Sequence, residues 1–323
     1  MAAGLRVGNK VAKHCIVQGG MSVRISLAPL AAAVAKAGGV GTIGAMCLPP
    51  EELRKNIREA RAQTTGVIGV NIMYAGTAFS DLLQVCIEEA VDYVAIGAGF
   101  ARGPFKLLDE HGIPGFAIIS SVKAASIASR TRGITGIVVE SGLAGGHLGP
   151  KDPEISTWDL FPAVLEELKR RDFPGPVIAA GGLADRQDVL RALDMGADGV
   201  QLGTRFAMTE ESSASDAMKK AWQKATGSQV QWWSPTGYAS RAIVPHHQGK
   251  LPQLSANGTI CYQCLKRCVH NAEPTKSHCI RQALLNSWSG DVDHGLMFSG
   301  ARVGDMEDIP PTTEVMARLT EGS

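Results

Sequence analysis

Two groups of residues in this 323-residue chain have types and spacing suited to chemistry. The first is the run Glu140-Ser141-Gly142-Leu143-Ala144-Gly145-Gly146-His147-Leu148-Gly149, which sets one histidine on a glycine-rich loop. Imidazole titrates near neutral pH, so His147 in such a loop is a candidate proton acceptor or donor, and a structural histidine is the plainer alternative. His14, His111, His246 and His247 lack this context and read as packing or surface residues. The second group is Cys261-x2-Cys264-x3-Cys268-x10-Cys279. Four thiolates match the ligand count of an iron–sulfur cluster or a structural zinc. Three cysteines within eight residues and a fourth at a distance favour a [4Fe–4S] cluster. Zinc is the alternative, although its ribbons usually pair two separated C-x-x-C knuckles, and unligated thiols are the third reading. Lys266 and Arg267 would offset part of the thiolate charge.

Glycine marks a further pair of segments, Ala179-Ala180-Gly181-Gly182-Leu183-Ala184-Asp185 and Gly199-Val200-Gln201-Leu202-Gly203-Thr204-Arg205. Each offers backbone N–H groups just ahead of a helix start, a combination that cradles phosphate; glycines serving only tight turns are the alternative. Gln18, Asn71 and Lys123 add amide and ammonium donors suited to a polar heterocycle such as a flavin ring. Their bland alternatives are loop closure, turn capping and a solvated helix position.

These groups need a scaffold that gathers them. Eight short apolar, β-branched runs read as strands: residues 14–18, 40–45, 67–71, 93–97, 115–120, 136–140, 177–180 and 200–203. Helical patterns fall between and after them at 27–37, 51–62, 80–90, 122–130, 158–171, 187–195 and 215–225. This alternation predicts an α/β fold, a (β/α)8 TIM barrel whose site lies at the C-terminal ends of the strands. A doubly wound open sheet is the rival, but Gly39, Gly41 and Gly44 straddle the second strand instead of opening a helix. The rhythm stops after about residue 225. The expected organisation is therefore a barrel over 1–225 and a small irregular cysteine-rich appendage over 226–323, packed on the barrel. Within it, Trp232 to Ala242 is placed to wall the mouth or to pin the appendage.

Composition fits an enzyme-sized globular chain, with 37 glycines, 45% hydrophobic and 20% charged residues. A net charge of +1 without basic or acidic blocks argues against nucleic acid or a membrane surface as partner. Neither a signal-like apolar stretch nor a spanning run is visible, and clustered rather than framework cysteines suit a reducing compartment, so a cytoplasmic location is expected.

The runs Gln18-Gly19-Gly20-Met21, GGVGTIGA from Gly38, Gly69-Val70-Asn71, ESGLAGGHLGP from Glu140, AAGGLAD from Ala179 and GADGVQLGTRF from Gly196 together resemble the nitronate monooxygenase family, which includes the FMN-dependent enoyl-acyl-carrier-protein reductases. The resemblance covers about residues 14–210. It implies an FMN-binding TIM barrel in which Gly181, Gly182, Gly203 and Thr204 hold the phosphate, and Gln18, Met21, Asn71 and Lys123 lie near the ring. Gly19, Gly145, Gly146 and Gln201 complete the implied cofactor contacts, and His147 matches the family's active-site histidine. The implied substrate is a small molecule: a nitronate oxidised with His147 as base, or an activated alkene reduced with NAD(P)H as donor. A homo-oligomer is left open. Two departures stand out. Arg186 replaces the usual glycine after the phosphate loop, and the four-cysteine tail is similar in spacing to iron–sulfur flavin reductases acting on dienoyl thioesters. IMP-dehydrogenase-like barrels share the glycine runs but need a loop cysteine nucleophile, and none lies between Ser141 and Gly149. The non-enzymatic alternative is a zinc-stapled barrel without flavin.

Overall fold

The computed structural model describes residues 4–232, 234–243, 261–269 and 278–321. A hairpin of β1 (Leu5–Val7) and β2 (Lys10–Ala12) opens the chain. Eight strands then close into a parallel barrel: β3 (Ile16–Gln18), β4 (Val40–Gly44), β5 (Val67–Met73), β6 (Tyr93–Gly97), β7 (Gly115–Ile119), β8 (Ile134–Glu140), β10 (Val177–Ala180) and β11 (Gly199–Leu202). β11 returns to β3, which closes the ring. Between β8 and β10 lies the short β9 (Gly146–His147).

The strands form because Val, Ile and Ala dominate them with few polar residues, so both faces are largely buried, as a sheet wrapped by helices requires. Val17, Val40, Val67, Tyr93, Phe116, Val138 and Ile178 fill the barrel interior, and Leu5, Val7 and Ala12 of the hairpin join the same cluster. Ile16, Ile43, Ile68, Ile137 and Val200 lie in a second cluster between the strands and the helices. The helices are α1 (Ala28–Lys36), α2 (Pro50–Gln63), α3 (Phe79–Glu88), α4 (Arg102–Glu110), α5 (Val122–Ala128), α6 (Thr157–Lys169), α7 (Arg186–Asp194), α8 (Thr204–Ala207) and α9 (Asp216–Lys224). α4 falls in a stretch where the sequence pattern gives no helix; it buries only Phe105 and Leu108, too sparse an apolar stripe to stand out.

After α9 come β12 (Gln229–Gln231), β13 (Ser240–Ala242), a helix over Ile280–Ser289 and a last helix over Thr312–Thr320. The last helix packs Val315, Met316 and Leu319 into the strand–helix core beside α1 and α7. Residues beyond 225 therefore share the barrel's core as well as covering its mouth. None of the helices among the described residues is long and apolar enough to cross a membrane.

Candidate active site

A cavity of about 320 Å³ opens at the C-terminal ends of the barrel strands. Strand parity decides which side chains reach it. Gln201 is in register with Ala180 and Val17, both interior residues, and Asn71 is in register with Ala95, also interior. Both line the cavity. Asn71 Nδ2 donates to the Ala95 carbonyl at 3.3 Å, and the missing Cβ of Gly19 lets the Gln201 amide lie against the backbone. Gly19, Met21, Gly145, Gly146, His147, Gly181, Gly182, Gly203 and Thr204 line the same cavity.

Two expected contacts, Gln18 and Lys123, are not on the cavity lining. Gln18 is in register with Leu202, which faces the helices, so alternation turns it away from the cavity. Its Nε2 donates to the Thr42 carbonyl at 3.1 Å, and its Oε1 accepts from the Thr42 N–H at 3.0 Å. Fully buried, Gln18 clamps β3 to β4. Lys123 lies in the first turn of α5, capped by Ser121, where it is exposed and off the cavity lining.

The phosphate cradle differs from a simple helix N-terminus. Asp185 caps α7 in a capping box with Asp188, so the first turn of that helix has its acceptor. Arg302 ties both carboxylates from the far end of the chain, at 2.9 and 2.8 Å, and itself reaches the cavity. The N–H groups of Gly182, Gly203 and Thr204 donate to nothing among the described residues. Gly203 has φ −102°, a conformation open to any residue, and a Cβ built there meets only the Met21 sulfur at 3.8 Å. Backbone geometry does not demand glycine at 203; open space does. Unpaired donors and a space that a side chain would fill suit a phosphate group. Arg186, the departure noted in the sequence, lines a neighbouring cleft with Arg205 and Arg318 instead.

His147 is held by the C-terminal part of the chain. β9 pairs with β13 through Ser240↔His147 and Arg241↔Gly146, and β13 pairs with β12. Buried Arg241 anchors this small sheet, donating from Nε to the Gly142 carbonyl at 3.1 Å and from Nη2 to Glu154 at 2.6 Å. His147 Nε2 is 2.7 Å from the Ser234 hydroxyl, and Phe298 presents its ring to the imidazole at 74° with centroids 5.3 Å apart. Burial pushes the imidazole down to about 4, so it is neutral at pH 7. Within the 232–242 segment it is Ser234 that meets the site; Trp232 is exposed, and Trp233, like His246 and His247, lies outside the described residues. Ser234→Ala is expected to cost about 1 kcal/mol in urea denaturation, the ordinary worth of one buried hydrogen bond.

Glu140, at the end of β8, lines the cavity and was not singled out by the sequence reading, although an acidic residue closing a barrel strand is a signal for it. Burial pushes its carboxyl up to about 7. A carboxyl with a raised folded-state pKa keeps a proton the unfolded chain has lost, so stability falls as pH rises from 4.5 to about 7. Glu140→Gln should flatten that slope, by about 3 kcal/mol across the window, in urea titrations of ligand-free protein at pH 5 and 8. Equal slopes for both proteins would show an ordinary carboxylate.

The four cysteines do not assemble as a metal site: no three His, Cys, Asp or Glu side chains converge as ligands among the described residues. Cys279, the N-cap residue of helix Ile280–Ser289, interacts electrostatically with Cys261 and Cys264, Cys47 does so with Cys264 and Cys279, and Cys268 packs against the cluster around Leu265 and Leu296. Cys47 is a member that sequence spacing could not supply, lying more than two hundred residues away.

The closed parallel barrel with its cavity at the strand ends, a glycine cradle and one buried histidine defines a TIM-barrel enzyme site of the oxidoreductase type. The sequence model of the family named nitronate monooxygenase matches residues 6–322, and the chain belongs to that family of FMN-dependent oxidoreductases. Among curated relatives, (3aS,4S,5R,7aS)-5-hydroxy-7a-methyl-1-oxo-octahydro-1H-indene-4-carboxyl-CoA dehydrogenase of Mycobacterium tuberculosis (strain ATCC 25618 / H37Rv) is 34% identical over 216 residues. That match takes in 66% of this chain and 58% of the relative, so the chain spans less than two thirds of that protein's length. A probable nitronate monooxygenase of Staphylococcus aureus (strain Newman) is 30% identical over 251 aligned positions, covering 65% of this chain and 69% of the other. Among solved structures, FabK from Thermotoga maritima superposes with a TM-score of 0.81 at 29% identity, over 95% of this chain and 92% of that one. The nitroalkane oxidase from Streptomyces ansochromogenes shares the fold at a TM-score of 0.75 and 22% identity, over 96% of each chain.

Proposed function

We propose that this chain binds FMN in the barrel-mouth cavity and oxidises small nitronates, with His147 as the base at the substrate carbon. The carrying observation is the pairing of an open glycine cradle at Gly182, Gly203 and Thr204 with a neutral, half-buried imidazole in one cavity. When bound, the flavin would supply two-electron chemistry and transfer to dioxygen. The chain's own residues do the rest. The Gly182, Gly203 and Thr204 N–H groups would hold the phosphate, and the Asn71 and Gln201 amides would offer polar contacts to the ring. His147, held at Nε2 by Ser234, would take a proton on its other ring nitrogen or exchange partners when substrate arrives. Met21, Met46, Met73, Ile118, Leu265 and Phe298 would exclude water.

A second reading is favoured by the acyl-CoA dehydrogenase relatives and by the FabK likeness: an activated acyl thioester or alkene as substrate, with NAD(P)H as donor in the reductive direction.

The test is a visible spectrum of the purified chain, release and identification of any flavin, and anaerobic addition of a nitronate, an acyl-CoA thioester, NADH or NADPH to separate samples. FMN near one per chain with bleaching by the nitronate is the expected result. Bleaching by thioester or nicotinamide alone would transfer the assignment to the second reading, and reconstitution that fails to bind FMN would remove both.

A further inference from the structure

The hydroxyl that holds His147 has a second hydroxyl behind it. Ser234 Oγ lies 2.7 Å from His147 Nε2 and 2.9 Å from Thr236 Oγ1. Both hydroxyls stand on the loop that joins β12 to β13. There Ser234-Pro235-Thr236-Gly237 folds into a turn closed by the Gly237 N–H, which donates to the Ser234 carbonyl at 3.0 Å. Gly237 has φ 77°, the left-handed conformation that glycine adopts without steric cost. The turn also sets the Thr236 N–H 3.4 Å from Ser234 Oγ and the Tyr238 N–H 3.4 Å from Thr236 Oγ1, so the local backbone orients both hydroxyls. Two further bonds fasten the loop: the Leu148 N–H donates to the Ala239 carbonyl and the Val269 N–H to the Pro235 carbonyl, each at 2.8 Å. Exposure rises along this row, with Ser234 buried, Thr236 half-buried, and Gly237 and Tyr238 exposed. An imidazole and two hydroxyls thus run in hydrogen-bond contact from the cavity towards solvent.

We propose that Ser234 and Thr236 are a proton relay that carries a proton between His147 and solvent. The proposal rests on the reading of His147 as the base. A hydroxyl can accept one proton while releasing another, and imidazole does the same across its two nitrogens. When the C–H bond at the substrate carbon breaks, its electron pair stays with the substrate and the proton binds His147 Nδ1. The proton on Nε2 then passes to Ser234 Oγ, the Ser234 proton to Thr236 Oγ1, and the Thr236 proton to water. One proton leaves the substrate and one reaches solvent, with no group in the relay oxidised or reduced. The ring is neutral again and carries its proton on Nδ1. Loss of that proton to water in the emptied cavity, with the hops reversed to refill Nε2, restores the starting state. Burial disfavours a charged ring at this position, so a proton taken on one nitrogen needs an exit from the other.

The test uses the full chain loaded with FMN, mixed anaerobically with nitroethane in a series of H2O and D2O mixtures while flavin bleaching is followed. For the wild type the rate is expected to fall along a curved line as the D2O fraction rises, the mark of several protons moving together. Thr236→Val should bleach roughly tenfold more slowly and along a straight line, short of the loss expected for removing the base itself. Thr236→Ser, which keeps the hydroxyl, should restore both the rate and the curvature. Thr236 is not on the cavity lining, so a role in shaping the cavity alone would leave the isotope curve unchanged. The wild-type curve needs no variant and stands even where Thr236→Val folds poorly. A straight line for the wild type, or a wild-type rate in Thr236→Val, would overturn the relay alone. Bleaching by ethyl nitronate but not by nitroethane would remove the relay and leave the flavin reading, and bleaching by neither would remove both.

Discussion

His147→Ala is expected to slow substrate-driven bleaching of the flavin roughly 10²–10⁴-fold while the flavin stays bound. The geometry separates these two readouts. His147 sits on β9, apart from the backbone N–H groups of Gly182, Gly203 and Thr204 and making no hydrogen bond to them, so its loss leaves those donors in place. The imidazole is held at Nε2 by Ser234 and against the Phe298 ring, which restricts it to a narrow set of orientations. Burial, which holds its pKa near 4, also sets the pH behaviour. A depressed histidine pKa means the unfolded chain takes the proton first, so this group costs stability as pH falls from 6.5 towards 4 and nothing above 6.5. The base stays neutral through pH 5–8, so a limb of the rate profile near pH 7 belongs to another group, with Glu140 the carboxyl whose burial raises it into that range. Stopped-flow bleaching with a nitronate, repeated across that range for wild type, H147A and E140Q, checks both statements. A decrease of less than about tenfold in H147A would remove His147 from proton transfer.

Gly203→Val should weaken FMN binding by about 1–3 kcal/mol, roughly 5- to 150-fold in affinity, with little change in thermal midpoint. The asymmetry follows from the local backbone. At Gly181 and Gly182, φ is +102° and +66°, and a Cβ would lie 2.4 Å from the Ser141 hydroxyl and 2.7 Å from Leu143, so side chains there strain the apoprotein itself. At Gly203 the conformation accepts a side chain and the only neighbour is 3.8 Å away. The first carbon of a side chain there therefore meets only the Met21 sulfur, in ordinary contact among the described residues, until a ligand arrives. Fluorescence titration with FMN alongside a melting curve separates the outcomes: wild-type affinity with the valine in place would show that the phosphate lies elsewhere, and a collapsed midpoint would show that the space is structural.

Much of this site was already written in local sequence. Short β-branched runs alternating with helical ones determined the closed barrel, because a strand buried on both faces has few other ways to read. Glycine at 181, 182 and 203, and the lone histidine at 147, were legible because barrel sites gather where strands end. Tertiary structure decided the rest. Strand parity across β3 and β11 took Gln18 off the cavity wall and put Gln201 on it, and the exposed first turn of α5 took Lys123 away. Cys47 joined the neighbourhood of Cys264 and Cys279 from a distant loop, and His147 found Ser234, 87 residues away. Such pairings depend on where distant loops land once the barrel closes, and a spacing along the chain carries no record of that.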